Sequence, residues 1–225
     1  MSAAQQNFDP AQIRLVVFDW DGTLMDSEHA IVQSMQRGIA DLGLEPRSDD
    51  QVRNIIGLGL REAVSALYPA GEADLPERLA EAYRTHWFQF SQDERDLFPG
   101  VRDLFEWLDA QGYFIAIATG KSRRGLNRVL ADTGLESLIH ASRCADETRS
   151  KPHPQMMEEI LTVLGVSANE AVMVGDTEYD MELARNAGVH PIAVCYGTHE
   201  PERLHRHAPL ACLESLHGVR ELLAQ

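Results

Sequence analysis

Leu15-Val16-Val17-Phe18-Asp19-Trp20-Asp21-Gly22-Thr23-Leu24 is the stretch whose reading decides the fold. Its first four residues form an apolar run of strand length, rich in β-branched and aromatic side chains. The run does not alternate apolar with polar residues, so it predicts a strand covered on both faces, as in a parallel sheet. It ends in Asp19 and Asp21, one residue apart, followed by a glycine. Burying a carboxylate at such a strand end is costly unless something pairs with it. The partners have to come from elsewhere in the chain.

Before this stretch, residues 1 to about 12 read as a flexible lead-in. They show no charged segment followed by an apolar one, so no signal peptide is expected. After it, Met25 to about Asp93 reads as helical throughout. Ile31, Met35, Ile39 and Leu42 share one helical face behind the capping candidates Asp26 and Ser27. Asp49 and Asp50 are cap candidates for a second helix, interrupted at Gly57-Leu58-Gly59. Leu79, Ala82, Tyr83, His86 and Phe90 mark a further amphipathic helix.

From Leu97 the pattern alternates helix with apolar strand. Strands are expected at Tyr113–Ala118, Leu138–Ala141, Ala171–Val174 and Ile192–Cys195. This predicts an α/β fold, a parallel sheet with helices on both faces and right-handed crossovers. The domain reading is a core of residues 1–24 and 94–225, with residues 25–93 inserted as a helical cap. An insertion just after the first strand sits over the carboxyl edge, where open α/β sheets bind ligands.

Composition narrows the function. A chain of 225 residues, 44% of them hydrophobic, can fill one core or a core plus a smaller unit. No apolar run approaches the ~20 residues that span a bilayer. The net charge of -15 argues against nucleic acid or an anionic membrane as partner. An anionic substrate would then need a bound cation and a few placed basic groups. Cys144, Cys195 and Cys212 are odd in number and widely spaced, so a reducing, cytoplasmic compartment and no disulfide framework are expected.

The strand ends supply the partners. After the first strand stand Asp19 and Asp21; after the second, Thr119-Gly120-Lys121-Ser122. After the third region comes Ser150-Lys151-Pro152, and after the fourth, Gly175-Asp176-Thr177-Glu178-Tyr179-Asp180. A parallel sheet brings these together. Hard carboxylate oxygens suit Mg²⁺ shared with waters and a phosphate. An aspartate can attack phosphorus, a second carboxylate can move protons, and a hydroxyl and an ammonium can stabilise the phosphoryl charge.

These four motifs, in this order, resemble those of the haloacid dehalogenase-like hydrolase superfamily. They are Asp19-x-Asp21-Gly22-Thr23-Leu24, Thr119, Lys151-Pro152 and Gly175-Asp176-x-x-x-Asp180. The resemblance runs from about Arg14 to Leu222. It implies a Rossmann-like core with an inserted helical cap that closes over the substrate. It implies that Asp19 is a nucleophile forming an aspartyl-phosphate and that Asp21 is the general acid/base. Mg²⁺ would be held by the carboxylates of Asp19 and Asp176 and the backbone carbonyl of Asp21. Asp180 would be a ligand through water or would orient Lys151.

Within the superfamily, Asp21 favours phosphate transfer over dehalogenation, and Thr23 is typical of phosphatases. Ile56-Gly57-Leu58-Gly59-Leu60-Arg61-Glu62, Phe98-Pro99-Gly100-Val101 and Gly175-Asp176-Thr177 resemble the phosphoglycolate phosphatase subgroup. The expectation is a Mg²⁺-dependent phosphatase of a small phosphorylated metabolite, a monomer or homodimer. Its rivals are a sugar-phosphate mutase, a pyrophosphatase on the same scaffold, a phospho-aspartate regulatory module and a binding protein without catalysis.

Several residues admit a plainer role. Asp176 is a possible N-cap, but metal ligation is favoured because Asp180 lies one turn on. Thr119 is assigned to the phosphate rather than to its own backbone. Gly120 and Arg61 are substrate-binding candidates, although Arg61 also fits a solvated helix face. Gly57 and Gly59 either break a helix or let a loop approach a ligand. Lys121 reads as a surface residue at a helix start, Trp20 as packing beside the site. His199, His205, His207 and His217 read as a solvated tail rather than a metal site.

Overall fold

A computed structural model describes residues 8–90 and 93–224 of the chain. Most of the expected lead-in lies outside the described residues; Pro10–Gln12 form a 3-10 turn capped by Asp9. β1 (Leu15–Phe18) is buried at every residue. The other strands are β2 (Phe114–Thr119), β3 (Ala141–Cys144), β4 (Ala171–Gly175), β5 (His190–Val194) and β6 (Cys212–Leu213). They form one sheet in the order β3-β2-β1-β4-β5-β6, with every pairing parallel.

The absence of alternation in β1 has a direct structural counterpart. Val16 and Phe18 point into one apolar cluster, Leu15 and Val17 into another, one on each side of the sheet. The first cluster is completed by α5 (Val101–Ala110), α6 (Arg123–Thr133) and the closing helix His217–Leu223. The second is completed by α7 (Gln155–Leu164) and α8 (Glu178–Asn186). β1 is central, with Phe18 in register with Ile117 of β2 and Val174 of β4. Asp19 therefore leaves the sheet between the ends of the two strands that carry Thr119 and Asp176.

Between β1 and α5 come α1 (Glu28–Asp41), α2 (Asp49–Arg53), α3 (Leu60–Leu67) and α4 (Leu75–Trp87). They share their own apolar cluster, which includes Val32, Met35, Ile39, Val52, Val64, Leu67 and Leu79. At Gly38, an added Cβ would lie 3.1 Å from the Tyr83 backbone, so α1 and α4 approach closely there. The two strands of chain joining this helical segment to the sheet run side by side: Phe98 donates to the Leu24 carbonyl and Asp26 to the Asp96 carbonyl.

Several local expectations differ from the structure. Ser48, through a capping box with Gln51, starts α2; Asp49 and Asp50 are its first residues. The last helix of the inserted segment ends at Trp87, short of Phe90. The third strand is Ala141–Cys144 rather than Leu138–Ala141. It lies at an edge and is mostly half-buried, so it needs no apolar run; Leu138 and Ile139 pack on the core instead. β6 was not expected at all, since two residues leave no periodicity to read. It brings Cys212 beside Cys195, and the two form a disulfide with a Cα–Cα separation of 6.0 Å. The expectation of unpaired cysteines is thereby corrected, because only the unforeseen strand pairing places them together; Cys144 is free and buried.

Candidate active site

Asp19 is 1% exposed. The Nζ of Lys151 stands 2.7 Å from its Oδ1, an ion-pair approach outside hydrogen-bonding geometry. The same ammonium donates a hydrogen bond to Asp180 Oδ1 at 2.6 Å. Both Asp19 oxygens are buried without a hydrogen bond, an arrangement that normally carries a heavy desolvation penalty. Burial, opposed by Lys151 and reinforced by Asp180 and Asp176, holds the Asp19 carboxyl well above the usual range. On Lys151, burial works against the charge, but Asp180 and Asp19 outweigh it and keep the ammonium protonated.

The other two acids are held by their own loops. Asp180 Oδ2 accepts from the backbone N–H and hydroxyl of Thr177, which caps α8. Thr177, not Asp176, is therefore the N-cap, and Asp176 is free to face the cleft. Asp176 Oδ1 accepts from Thr23 at 2.7 Å and Oδ2 from the Thr198 backbone at 2.8 Å. Burial and the charge of Asp180 push its carboxyl up to about 6. Two glycines make room for it. A Cβ on Gly22 would lie 2.2 Å from Asp176 Oδ2, and one on Gly197 2.5 Å away. Gly22 also takes the left-handed φ of 79° that the turn after β1 requires.

Asp19, Asp176 and Asp180 each offer an oxygen within 4.8 Å of the others, the cluster of this kind found among the described residues. Three crowded carboxylates, two orphaned oxygens on one of them and a glycine cradle fit a hard divalent cation. The Asp21 carboxylate is outside this cluster. Its Oδ1 accepts from Ser27 at 2.5 Å and stands 2.8 Å from Lys121 Nζ. Thr119 ends β2, fully buried, and its Oγ1 accepts the Lys121 backbone N–H at 3.2 Å. Its own hydroxyl hydrogen is thus available to a ligand.

Gly120 and the Gly57-Leu58-Gly59 loop belong to one contact. A Cβ on Gly120 would lie 2.5 Å from the Leu58 carbonyl, and one on Gly57, at a left-handed φ of 97°, 2.9 Å from Thr177 Oγ1. The Gly59 N–H donates to Ser150 Oγ at 2.7 Å. The two glycines of that loop serve close approach between helical segment and core, and Gly120 is the core's side of the same approach. Arg61 is turned outward, 69% exposed and paired with Glu77, so the structure does not bring it to the acids.

Two residues read as surface features are inside. Lys121 is 9% exposed, covered by the Trp87 ring whose centroid lies 4.5 Å from Nζ. It precedes Ser122, the N-cap of α6, so it belongs to the turn at the strand end and not to the helix face. That cap serine was the signal available in the sequence. His199 is 4% exposed; its Nδ1 accepts from the Glu178 N–H, and burial, with Arg203 beside it, lowers it to about 4. It packs at the head of α8 and is no part of a solvated tail, whereas His217 is exposed. Trp20 packs as expected, fully buried, with Nε1 3.4 Å from Met25 Sδ.

The sheet and its cluster define an α/β enzyme with an acid-lined site at the carboxyl edge. The chain matches the haloacid dehalogenase-like hydrolases over residues 16–194 and belongs to that family. It is 31% identical to phosphoglycolate phosphatase 1 of Pseudomonas aeruginosa over 97% of this chain and 83% of that protein. It is also 31% identical to the pyrophosphatase PpaX of Bacillus pumilus, over 88% and 90% of the two chains. The crystal structure of a hydrolase from Pseudomonas syringae has the same fold, with a TM-score of 0.85 at 22% identity over 94% and 98% of the chains.

Proposed function

We propose that the protein is a Mg²⁺-dependent phosphatase of small phosphate monoesters, phosphoglycolate-like, acting through an aspartyl-phosphate on Asp19. One observation carries this reading. Asp19 is buried at the meeting point of two more carboxylates, with the Lys151 ammonium 2.7 Å from Oδ1 and no hydrogen-bond donor on Oδ2. A carboxylate oxygen left without a donor beside a fixed cation is an available nucleophile.

Asp19 attacks phosphorus in line, and the leaving ester oxygen takes the proton of Asp21. Water then attacks the phosphorus of the aspartyl-phosphate while Asp21 receives its proton. Inorganic phosphate leaves, and both side chains return to their starting forms. Thr119 donates its free hydroxyl hydrogen to a phosphoryl oxygen, and Lys151, fixed by Asp180, balances the phosphoryl charge. Asp19 and Asp176 would hold Mg²⁺, with the Asp21 backbone carbonyl as the resemblance implies; Asp180, fully engaged by Lys151 and Thr177, orients the lysine. The cation would supply positive charge to an anionic substrate inside an acidic protein.

Residues 25–93 act in this reading as a cap over a core of residues 1–24 and 94–225, closing over the substrate and shielding it from bulk solvent while the one attacking water is admitted. No helix among the described residues is long and apolar enough to cross a membrane; we take the enzyme to be a monomer or homodimer. The test is hydrolysis of p-nitrophenyl phosphate with Mg²⁺ by the wild type and Asp19→Asn. The variant should lose roughly four powers of ten or more in kcat. Retained activity would overturn the mechanism.

A further inference from the structure

We propose that Lys121 is the specificity-determining residue of this site: it binds a carboxylate carried by the leaving alcohol. The inference rests on the phosphatase reading and names the residue that selects the phosphoglycolate-like substrate proposed there. The site pairs two of its carboxylates with two different lysines, Asp19 with Lys151 and Asp21 with Lys121. Lys151 touches Asp19 and Asp180, so its charge is committed to the position of the transferred phosphoryl group. Lys121 stands on the Asp21 side, where the leaving oxygen receives its proton. It is therefore placed to meet the alcohol and not the phosphate.

An ammonium has three N–H donors. On Lys121, one direction is taken by Asp21 Oδ1 at 2.8 Å and another is covered by the Trp87 ring at 4.5 Å. A third donor remains for a substrate. The roof over this position is aromatic: Trp87 stacks on Tyr83 with centroids 5.8 Å apart, both on α4. Tyr83 also senses Asp21, whose charge adds to burial in raising the phenol. Aromatic walls around a single ammonium favour a small ligand with one matching charge over a bulky or neutral one.

The charge is that of a carboxylate rather than of a second phosphate. Lys121 offers one positive charge, and it is already shared with Asp21. A second phosphate dianion would need a further cation there, and Arg61 is turned away to Glu77. The chemistry that fits is a phosphate ester of a short hydroxy acid, its carboxylate one or two carbons from the ester oxygen.

The experiment compares phosphoglycolate with ethyl phosphate, of similar size but without the carboxylate, for the wild type, Lys121→Met and Lys121→Arg. The wild type should prefer phosphoglycolate by about 30-fold or more in kcat/KM, the loss expected when a buried charge pair goes unmade. Lys121→Met should lose most of that preference, chiefly through KM for phosphoglycolate, and Lys121→Arg should restore part of it. A lysine that only holds Asp21 would slow both esters alike and leave the ratio unchanged, which overturns the proposal. Inhibition of wild-type ethyl phosphate hydrolysis needs no variant: 3-phosphonopropionate should bind at least about tenfold tighter than propylphosphonate. Equal inhibition would overturn the proposal as well. If the wild type hydrolyses neither ester nor p-nitrophenyl phosphate, it is the phosphatase reading that fails.

Discussion

Asp19 and Asp21 lie one residue apart and each meets a lysine, yet the two pairs are built in different ways. The Asp19–Lys151 pair is made without the inserted helices, by the sheet and the segments packed directly on it. Its members come from the ends of β1 and the turn before α7, Asp180 comes from the head of α8, and the ion-pair side chains are at most 1% exposed. The Asp21–Lys121 pair is 12% and 7% exposed and is roofed by Trp87 of α4, with Ser27 at the entry to α1 as its third member. The first pair depends on core packing and the second on where the inserted helices lie. In the proposed reading, the part common to any phosphate ester is thus held by the core, and the part that meets the alcohol by the inserted helices.

The comparison breaks first at Lys151. Lys151→Met leaves Asp19 and Asp180 as buried carboxylates without a counter-ion, a loss of roughly 3–5 kcal/mol of stability, with kcat down about 100-fold or more. Lys121→Met leaves Asp21 bonded to Ser27 and near solvent, and should lose only about 1–2 kcal/mol. Urea unfolding of both variants measures this. Equal losses would show that the two pairs are equally part of the core. Asp19→Asn should act in the opposite sense on stability. A carboxyl held well above its ordinary range destabilises the fold at neutral pH, where it must ionise, so the amide should raise the apo midpoint even as activity disappears.

Metal gives a second separation. With MgCl₂ at ~100 times its dissociation constant the wild type should gain about 2.7 kcal/mol, read as a rise in melting temperature. Asp176→Asn should lose most of that rise, since Asp176 is a cluster acid. Lys121→Met should keep it, because Lys121 touches Asp21 and not the three clustered acids. Loss of the Mg²⁺ response in Lys121→Met would merge the two halves of the site.

The same division marks what the sequence could and could not disclose. Asp19, Thr119 and Asp176 lie at or just beyond the ends of β1, β2 and β4, which apolar runs without alternation locate; Lys151, in the turn before α7, is legible from its place in the motif order and from Pro152. A parallel sheet then gathers the first three with no further information. Lys121, Tyr83 and Trp87 meet only because α4 folds back over the turn after β2. Helical periodicity places Tyr83 on an apolar face but does not say what that face covers. Arg61 fits either a ligand contact or a solvated helix face by its periodicity alone, and only the fold shows it turned outward to Glu77. The disulfide depended on β6, a two-residue strand whose existence is a fact of the sheet and not of its own sequence.

Ser27→Ala is the smallest and most discriminating change. Ser27 Oγ donates to Asp21 Oδ1 at 2.5 Å and also lies 3.5 Å from the Met25 carbonyl. Among the described residues, its hydroxyl and the Lys121 ammonium are the side-chain donors at Asp21. Removing it costs one hydrogen bond to a charged group, on the order of 1.5–3 kcal/mol if wholly unmade. Asp21 is 8% exposed, and its lysine remains, so much of that is recovered. The expected result is a fall in kcat of about threefold to tenfold with KM for phosphoglycolate little changed, because Lys121 still reaches the substrate. The Mg²⁺ melting shift should be that of the wild type. A matching rise in KM would mean that Ser27 sets the position of Lys121 as well as of Asp21, and that the alcohol side of the site is one hydrogen-bonded unit rather than a proton-transfer group beside a separate anchor.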